Sequence, residues 1–138
     1  EIGVRLVGSE MCIRDRICTD AYYEAAISYI KEQTPDAHFY VFSDDSAYVK
    51  NAYPGKEFTV VDWNTGKNSL FDMQLMSCCD HNICANSTFS FWGARLNPSP
   101  DKVMIRPSKH KNSQNIVPEE MKKLWNGWVL IDGKGRII

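Results

Sequence analysis

Small polar side chains are concentrated in one stretch of this chain, residues 80–96. Residues 81–85 form a short apolar run typical of a strand, and residues 88–96 are typical of a helix. The turn between them carries hydroxyl and amide groups, on Asn86, Ser87, Thr88 and Ser90. Such groups beside the free N–H groups of a helix N-terminus suit an anion, most often a phosphate. The same residue types are also common in plain helix caps, so both interpretations stay open.

A second polar cluster follows an earlier strand-like run, residues 38–43. Ser43, Asp44 and Asp45 stand at the end of that run. A carboxylate at a strand end can accept hydrogen bonds from a guanine edge or from ribose hydroxyls. The alternative is a helix cap with a second acid favoured by the helix dipole.

Strands and helices alternate along the rest of the chain, which predicts a parallel sheet with helices on both faces, a Rossmann-like α/β domain. Helices are predicted over residues 19–33, 44 to the turn at 54–55, 68–79, 88–96 and 118–125. Strands are predicted over 38–43, 58–61, 81–85 and 103–105, and a short closing segment over 128–131. Such sheets bind ligands beyond the carboxyl ends of their strands, where both polar clusters fall.

Composition excludes several classes of protein. The 138 residues carry a net charge of -1, which gives no general attraction to nucleic acid or to anionic membranes. No run approaches the roughly 20 apolar residues that span a bilayer. There is no signal-peptide pattern at the start. Five cysteines, two of them adjacent, do not suggest a disulfide framework and favour a reducing compartment.

A metal site is the alternative use of the cysteines. Cys78, Cys79, His81 and Cys84 fall on a helix end and an alternating strand, so their side chains are expected to point in different directions. We therefore expect buried thiols and no metal. Arg95 and Arg106 could face anions, but we interpret them as solvated or salt-bridged.

The first sixteen residues differ from the rest of the chain. Residues 6–16 show neither periodicity nor turn signals, and they resemble a peptide produced when sequencing-adapter DNA is translated. We interpret residues 1–16 as an irregular segment of artefactual origin; the alternative is a natural N-terminal arm. Residues 17–138 are then a fragment of a longer protein that comprises one nucleotide-sugar-binding domain.

Three blocks of the chain together resemble the C-terminal half of the α-1,2-fucosyltransferases: residues 39–45, 72–81 and 85–94. Their order and spacing match that family, residues 17–23 also fit, and the third block is the most specific. Phe91-Trp92 stands where the family usually has two tryptophans. The resemblance extends from Ile17 to the end of the chain.

The resemblance implies the donor-binding half of a GT-B-like glycosyltransferase. Such an enzyme moves L-fucose from GDP-fucose to the 2-hydroxyl of a terminal β-galactoside, with inversion and without a metal or other cofactor. By the same resemblance Asp44 or Asp45 contacts guanosine. The diphosphate is held by the turn residues Ser87, Thr88 and Ser90, with Asn86 beside them. Asp72 and His81 shape the same cleft. A bacterial cytoplasmic protein, with or without membrane association, is expected.

One expected motif has no match. The family carries His-x-Arg-Arg-x-Asp upstream of these blocks, and its arginine is expected to neutralise the departing diphosphate. Because the acceptor site and the catalytic base are expected in that upstream part as well, the isolated chain is predicted to bind donor without transferring fucose. The alternatives are a non-catalytic nucleotide-binding module or degenerate transferase, and a receiver-like or flavodoxin-like protein.

Overall fold

In the part of the chain that the structure describes, six short strands form one sheet, and every neighbouring pair runs parallel. The computed structural model describes residues 2–5, 18–42, 51, 53–61, 67, 70–86, 88–108 and 118–138, with only the backbone at 2–5, 88 and 89. In chain order the elements are β1 (Ile2–Arg5), α1 (Asp20–Gln33), β2 (Phe39–Phe42), β3 (Phe58–Val61), α2 (Leu70–Ser77), β4 (His81–Ile83), α3 (Thr88–Arg95), β5 (Met104–Pro107), α4 (Pro118–Leu124) and β6 (Trp128–Ile131).

The strand order across the sheet is β3-β2-β1-β4-β5-β6. Strand β1 lies at the centre, where Ile2 is in register with Phe39 of β2 on one side and with His81 of β4 on the other. The order reverses between β1 and β4, and this reversal is a topological switch point of the doubly wound fold. The structure therefore has the Rossmann-like parallel sheet that the alternating pattern predicts.

Strand β1 falls within residues 1–16, for which irregular backbone is expected. At Ile2–Arg5 that expectation is wrong, because the four residues pair along both edges, with β2 and with β4. Without β1, the facing edges of β2 and β4 would present unpaired N–H and C=O groups. The extended segment Ile2–Arg5, which has two β-branched residues, pairs with these groups. The proposed artefactual origin of the segment remains a prediction.

Helix α1 covers one face of the sheet. Its buried residues recur at helical spacing and give it one apolar face: Tyr22, Tyr23, Ala26, Ile27 and Ile30. That face packs on alternate residues of four strands: Phe39, Val41, Ile83, Ile105 and Ile131. Burying a large apolar side chain is worth about 1.5–3 kcal/mol, so this layer supplies most of the core.

The other face of the sheet carries α2 and α3. Phe42 points away from α1 because successive strand residues alternate, and it packs with Val61 and Met76. Helices α2 and α3 approach closely where Gly93 faces Met76; a Cβ at Gly93 would lie 3.1 Å from the Met76 Cβ. Helices therefore cover both faces, as the sequence predicts.

Buried amides join α2, β4 and the end of α3 at the amino edge of the sheet. The Asn82 amide is fully buried and donates to the Met76 carbonyl at 2.8 Å. The Asn97 amide donates to the Asn82 Oδ1 at 2.8 Å and to the Cys79 carbonyl at 2.5 Å. We call Asn82 and Asn97 with these carbonyls the amide network. It satisfies backbone groups left unpaired at the helix ends.

The predicted elements are confirmed to within a few residues for α1, β2, β3, α2, β4, α3, β5 and α4. The closing segment predicted over residues 128–131 is strand β6. The helix predicted to begin at Asp44 lies outside the described residues except at Asn51, which is helical.

Candidate functional site

The carboxyl edge of the sheet at the switch point brings two helix N-termini together. Helix α1 begins at Asp20, and its cap residue Thr19 accepts a hydrogen bond from the Tyr22 N–H at 3.1 Å. Helix α3 begins at Thr88, just after β4. The segments that lead into these helices touch, because the Asn86 N–H donates to the Cys18 Sγ at 3.2 Å. Both helix dipoles therefore direct positive potential toward one end of the sheet.

The described backbone from the end of β4 into the first turn of α3, residues 84–86 and 88–90, is held by side chains from within and from α1. The Cys84 thiol donates to the Ser90 carbonyl at 3.3 Å, and the Ser90 hydroxyl donates to the Ala85 carbonyl at 3.0 Å. From α1, the Tyr22 hydroxyl donates to the Cys84 carbonyl at 2.5 Å. Cys84, Ala85, Ser90 and Tyr22 are fully buried. We call residues 84–90 the β4–α3 turn; its position is set by the interior.

The N-terminus of α1 is covered by another part of the chain. The Thr19 hydroxyl donates to the Gly133 carbonyl at 2.6 Å. Gly135 lies against the first turn of α1 with φ +81°, and a Cβ there would come within 2.9 Å of the Ala21 carbonyl oxygen. The 132–136 loop thus packs directly on the start of α1. Of the two helix starts at the switch point, that of α3 is the better candidate for an anion site.

Of the predicted phosphate-binding residues, Asn86 and Ser90 are described in full. Ser87 lies outside the described residues, and Thr88 is described only as the first backbone unit of α3. Asn86 is half-buried at the mouth of the turn. Ser90 is brought to the same turn, but its side chain lies in the interior, where the hydroxyl already donates to a backbone carbonyl. In this geometry Ser90 shapes the turn from inside.

The acidic residues can be located only in part. Asp44 and Asp45 both lie outside the described residues. In the sequence they follow Phe42, the last residue of β2, which is in register with Arg5 of β1. Asp72 is buried in the first turn of α2, a helix that also contacts β1. Asp72 therefore lies with the helix starts that face the predicted cleft.

His81 is the exception. It is the first residue of β4 and so lies at the amino edge, about 13 Å from Ala85 at roughly 3.3 Å per residue. Its Nδ1 accepts a hydrogen bond from the Val103 N–H at 2.8 Å. Partial burial lowers the pKa of His81, which favours the neutral ring that this bond needs. The length of β4 therefore separates His81 from the carboxyl edge, and the structure does not bring it together with Asn86 and Ser90.

The cysteines are positioned as thiols of the interior and the surface. Cys79 and Cys84 are buried and Cys78 is exposed. Burial raises the pKa of Cys84 to about 12, so it stays a neutral thiol at physiological pH. Across the residues with described positions, no group of three His, Cys, Asp or Glu side chains is arranged to hold a metal ion.

Arg106 is not solvated, which was one of its two predicted roles. It is fully buried near the carboxyl end of β5, and its guanidinium lies 3.8 Å from the centroid of the Trp125 ring and 4.8 Å from that of Phe91. Burial lowers the pKa of Arg106 to about 10, so it remains a cation at neutral pH. Beneath the first turns of α3, it adds positive potential to the edge where that helix begins. Sequence reasoning missed it because nothing local distinguishes a buried arginine from an exposed one.

A groove of about 320 Å³ lies elsewhere on the molecule. Tyr29, Trp125, Trp128 and Ile137 are among the residues that line it. Because Trp128 begins β6 and Tyr29 is in the second half of α1, the groove opens toward the amino edge of the sheet. It is separate from the switch point. Within the described ranges, no helix is long and apolar enough to cross a bilayer.

Comparisons with known proteins bear on the whole chain. The family model described as glycosyl transferase family 11 matches residues 8–132. The O-antigen biosynthesis glycosyltransferase WbnK of Escherichia coli is 43% identical over 89 residues, which are 64% of this chain and 30% of that protein. An alpha-1,2-colitosyltransferase of Escherichia coli is 34% identical over 116 residues, 78% of this chain and 40% of the relative. The matched stretches of the chain thus cover less than half the length of these relatives. No solved structure matches it.

Proposed function

This chain belongs to glycosyl transferase family 11, and from that membership we propose that it is the donor-binding part of a GT-B-type α-1,2-fucosyltransferase. The reaction proposed for the whole protein transfers L-fucose from GDP-fucose to the 2-hydroxyl of a terminal β-galactoside. Its donor half would hold the GDP. The family membership supports a nucleotide-sugar donor and a glycan acceptor; the choice of fucose, guanosine and galactose rests on the resemblance of residues 39–45, 72–81 and 85–94.

The observation that carries this proposal is the start of α3 at the switch point of the sheet. Ligands of open α/β sheets bind in the crevice at such a point, and phosphates bind at helix N-termini there. The β4–α3 turn is held from α1 and from the interior, so the N–H groups at the start of α3 keep a fixed direction. The buried Arg106 cation lies below the same helix. An anionic diphosphate is the ligand that this charge favours.

The residue roles that we propose rest on the resemblance to the fucosyltransferases, together with the burial of Ser90 and Asp72. Thr88, Ser87 and Asn86 are proposed to contact the diphosphate at the start of α3. Asp44 and Asp45 are proposed to contact guanosine beyond β2. Ser90 and Asp72, which are buried, are proposed to shape the turn and the cleft wall rather than to touch the donor.

The chemistry proposed for the whole protein is an inverting displacement at the fucose anomeric carbon. The acceptor hydroxyl attacks, the bond to the GDP β-phosphate breaks, and a base takes the proton of the hydroxyl. We propose that neither a metal nor another cofactor takes part, because positive groups of the protein neutralise the diphosphate. The His-x-Arg-Arg-x-Asp motif has no match in residues 1–138, so the isolated chain is proposed to bind donor without transfer.

Calorimetric titration of the chain with GDP and with ADP tests the donor assignment. We expect GDP to bind and ADP to bind more weakly, with no change when EDTA is added. Thr88→Ala should weaken GDP binding by about tenfold, the usual loss for a hydrogen bond to a charged group. Ser99→Ala is the matched control, since Ser99 follows the opposite end of α3. Equal affinity for GDP and ADP would refute the guanosine assignment.

The two acids can be tested with the same ligands. Asp44→Asn or Asp45→Asn should reduce the preference for GDP over ADP, because the amide loses one acceptor that faces the guanine edge. Asp36→Asn, an exposed acid in the turn after α1, is the control. If neither variant changes the ratio of the two dissociation constants, the guanosine contact lies elsewhere.

A related donor sugar is a second candidate, because one relative is named an alpha-1,2-colitosyltransferase. Colitose is fucose without its 3-hydroxyl, so a site that hydrogen-bonds that hydroxyl would favour fucose. Competition between the two GDP-sugars for this chain should favour GDP-fucose if the fucose assignment is right. A preference for the deoxy sugar would reassign the donor.

The rival function is a nucleotide-binding module without transferase activity. The complete reading frame separates the two: an upstream arginine motif with transfer to a galactoside supports the enzyme, and fucosyl transfer should then be lost when that arginine is replaced. GDP binding without transfer by the complete protein would favour the module. We propose a bacterial cytoplasmic location, which localisation of a tagged complete protein would test.

A further inference from the structure

A buried tyrosine of α1 reaches across the sheet to the β4–α3 turn. The Tyr22 hydroxyl donates to the Cys84 carbonyl at 2.5 Å, although the two residues are 62 positions apart in the chain. Tyr22 is fully buried, so neither solvent nor a ligand at the carboxyl edge can reach the hydroxyl. Burial also raises the pKa of Tyr22 well above its ordinary value, which keeps the proton available for this bond. The hydroxyl is therefore protonated at neutral pH and able to donate to this carbonyl.

The position of the Cys84 carbonyl affects the start of α3. Cys84 is the first residue after β4, and its thiol donates to the Ser90 carbonyl in the first turns of α3. Two residues later, the Asn86 N–H donates to the Cys18 Sγ, just before α1. The turn is thus fixed to the start of α1 at both Cys84 and Asn86. A change at either point would alter the direction of the N–H groups that open α3.

We propose that Tyr22 is a positioning residue for the donor site, which holds the β4–α3 turn so that the start of α3 points at the diphosphate. This inference rests on the proposed function for the identity of the ligand. It concerns a residue that touches no ligand and acts only through the Cys84 carbonyl. Without the hydroxyl, that buried carbonyl loses its donor and the turn can relax toward other partners.

The test compares Tyr22→Phe with two variants of the same helix. Tyr29→Phe removes the same hydroxyl two turns later, at the groove by the amino edge. Ile30→Val removes one buried methylene from the same core and loosens the fold without touching the turn. Affinity for GDP is measured by calorimetry, and amide hydrogen exchange is followed by mass spectrometry in peptides that cover residues 82–92.

We expect Tyr22→Phe to weaken GDP binding by roughly three- to tenfold, the value of one hydrogen bond. It should also speed amide exchange in residues 82–92, while the two control variants leave both quantities unchanged there. Unchanged affinity and exchange in Tyr22→Phe would overturn the inference. So would an equal loss of affinity in Ile30→Val at matched stability, because the effect would then be global.

The exchange measurement separates this inference from the proposed function. If the unaltered chain does not bind GDP, the donor assignment fails. Faster exchange at residues 82–92 in Tyr22→Phe alone would still establish that Tyr22 positions the turn. If GDP binds and Tyr22→Phe changes neither quantity, the proposed function stands and the role of Tyr22 is refuted.

Discussion

Replacing Asn82 by alanine is predicted to be among the most damaging single changes in this domain. Asn82 is fully buried in β4, and its side chain makes two hydrogen bonds in the amide network. It donates to the Met76 carbonyl near the end of α2 and accepts from the Asn97 amide after α3. Alanine removes both bonds, and each partner is left with one hydrogen bond fewer in the interior.

The expected loss of stability follows from those two bonds. The net contribution of a hydrogen bond to stability is about 1 kcal/mol. The Met76 carbonyl loses the Asn82 donor but keeps the Cys79 N–H at 3.3 Å, and the Asn97 amide keeps its bond to the Cys79 carbonyl at 2.5 Å. We therefore expect the two lost bonds and the small cavity to lower the free energy of unfolding by about 2 kcal/mol. For a domain of this size that corresponds to a melting temperature lower by roughly 8 °C.

Urea unfolding followed by circular dichroism measures this change. Asn126→Ala, which removes the same amide from an exposed position, should change stability by less than about 0.5 kcal/mol. The double variant Asn82→Ala with Asn97→Ala should lose less than the sum of the single variants, because the two side chains share one bond. A loss below about 1 kcal/mol for Asn82→Ala, or strict additivity, would refute the network as described.

Three further predictions concern single sites. Gly135→Ala should destabilise the fold by more than Gly127→Ala. Both glycines have positive φ, but only at Gly135 would a Cβ lie 2.9 Å from a helix carbonyl oxygen, that of Ala21. Thermal unfolding of the two variants measures the difference. Ser108→Ala should raise the free energy of unfolding by about 1 kcal/mol in urea titrations, because the buried Ser108 hydroxyl has no hydrogen-bond partner within the described residues. A lower free energy of unfolding in this variant would mean that the hydroxyl makes a hydrogen bond. Partial burial lowers the pKa of His81 below 6.5, so its contribution to stability is present above pH 6.5 and lost as the pH falls through the lowered value. His81→Asn keeps an acceptor for the Val103 N–H without titrating and should remove that part of the pH dependence, which unfolding at several pH values would reveal.

Much of the fold can be predicted because its signals are local. Tyr22, Ala26 and Ile30 repeat at helical spacing, and apolar runs such as residues 39–42 need no distant partner to be recognised. Strand β1 escapes prediction for the opposite reason. Its four residues become a strand only because β2 and β4 leave a place between them, and that fact is not present in the local sequence.

The candidate site divides in the same way. The polar turn after β4 is recognisable because hydroxyl and amide residues before a helix form a local pattern. The role of Ser90, the amino-edge position of His81 and the burial of Arg106 depend on tertiary contacts. The residue types of Ser90, His81 and Arg106 indicate that these side chains could bind a ligand or titrate. Only the direction of each side chain shows which groups it contacts.

The bond between Thr19 and Gly133 has a consequence for how the chain acquires its structure during synthesis. The first helix receives its cap contact from a residue 114 positions later, so the start of α1 cannot be completed until that loop has emerged from the ribosome. Contacts of such long sequence separation slow folding, because a large loop must close before they form. We therefore expect nascent chains stopped before Gly133 to expose the start of α1 to proteases. The order of translation thus delays completion of the helix start at the switch point of the sheet.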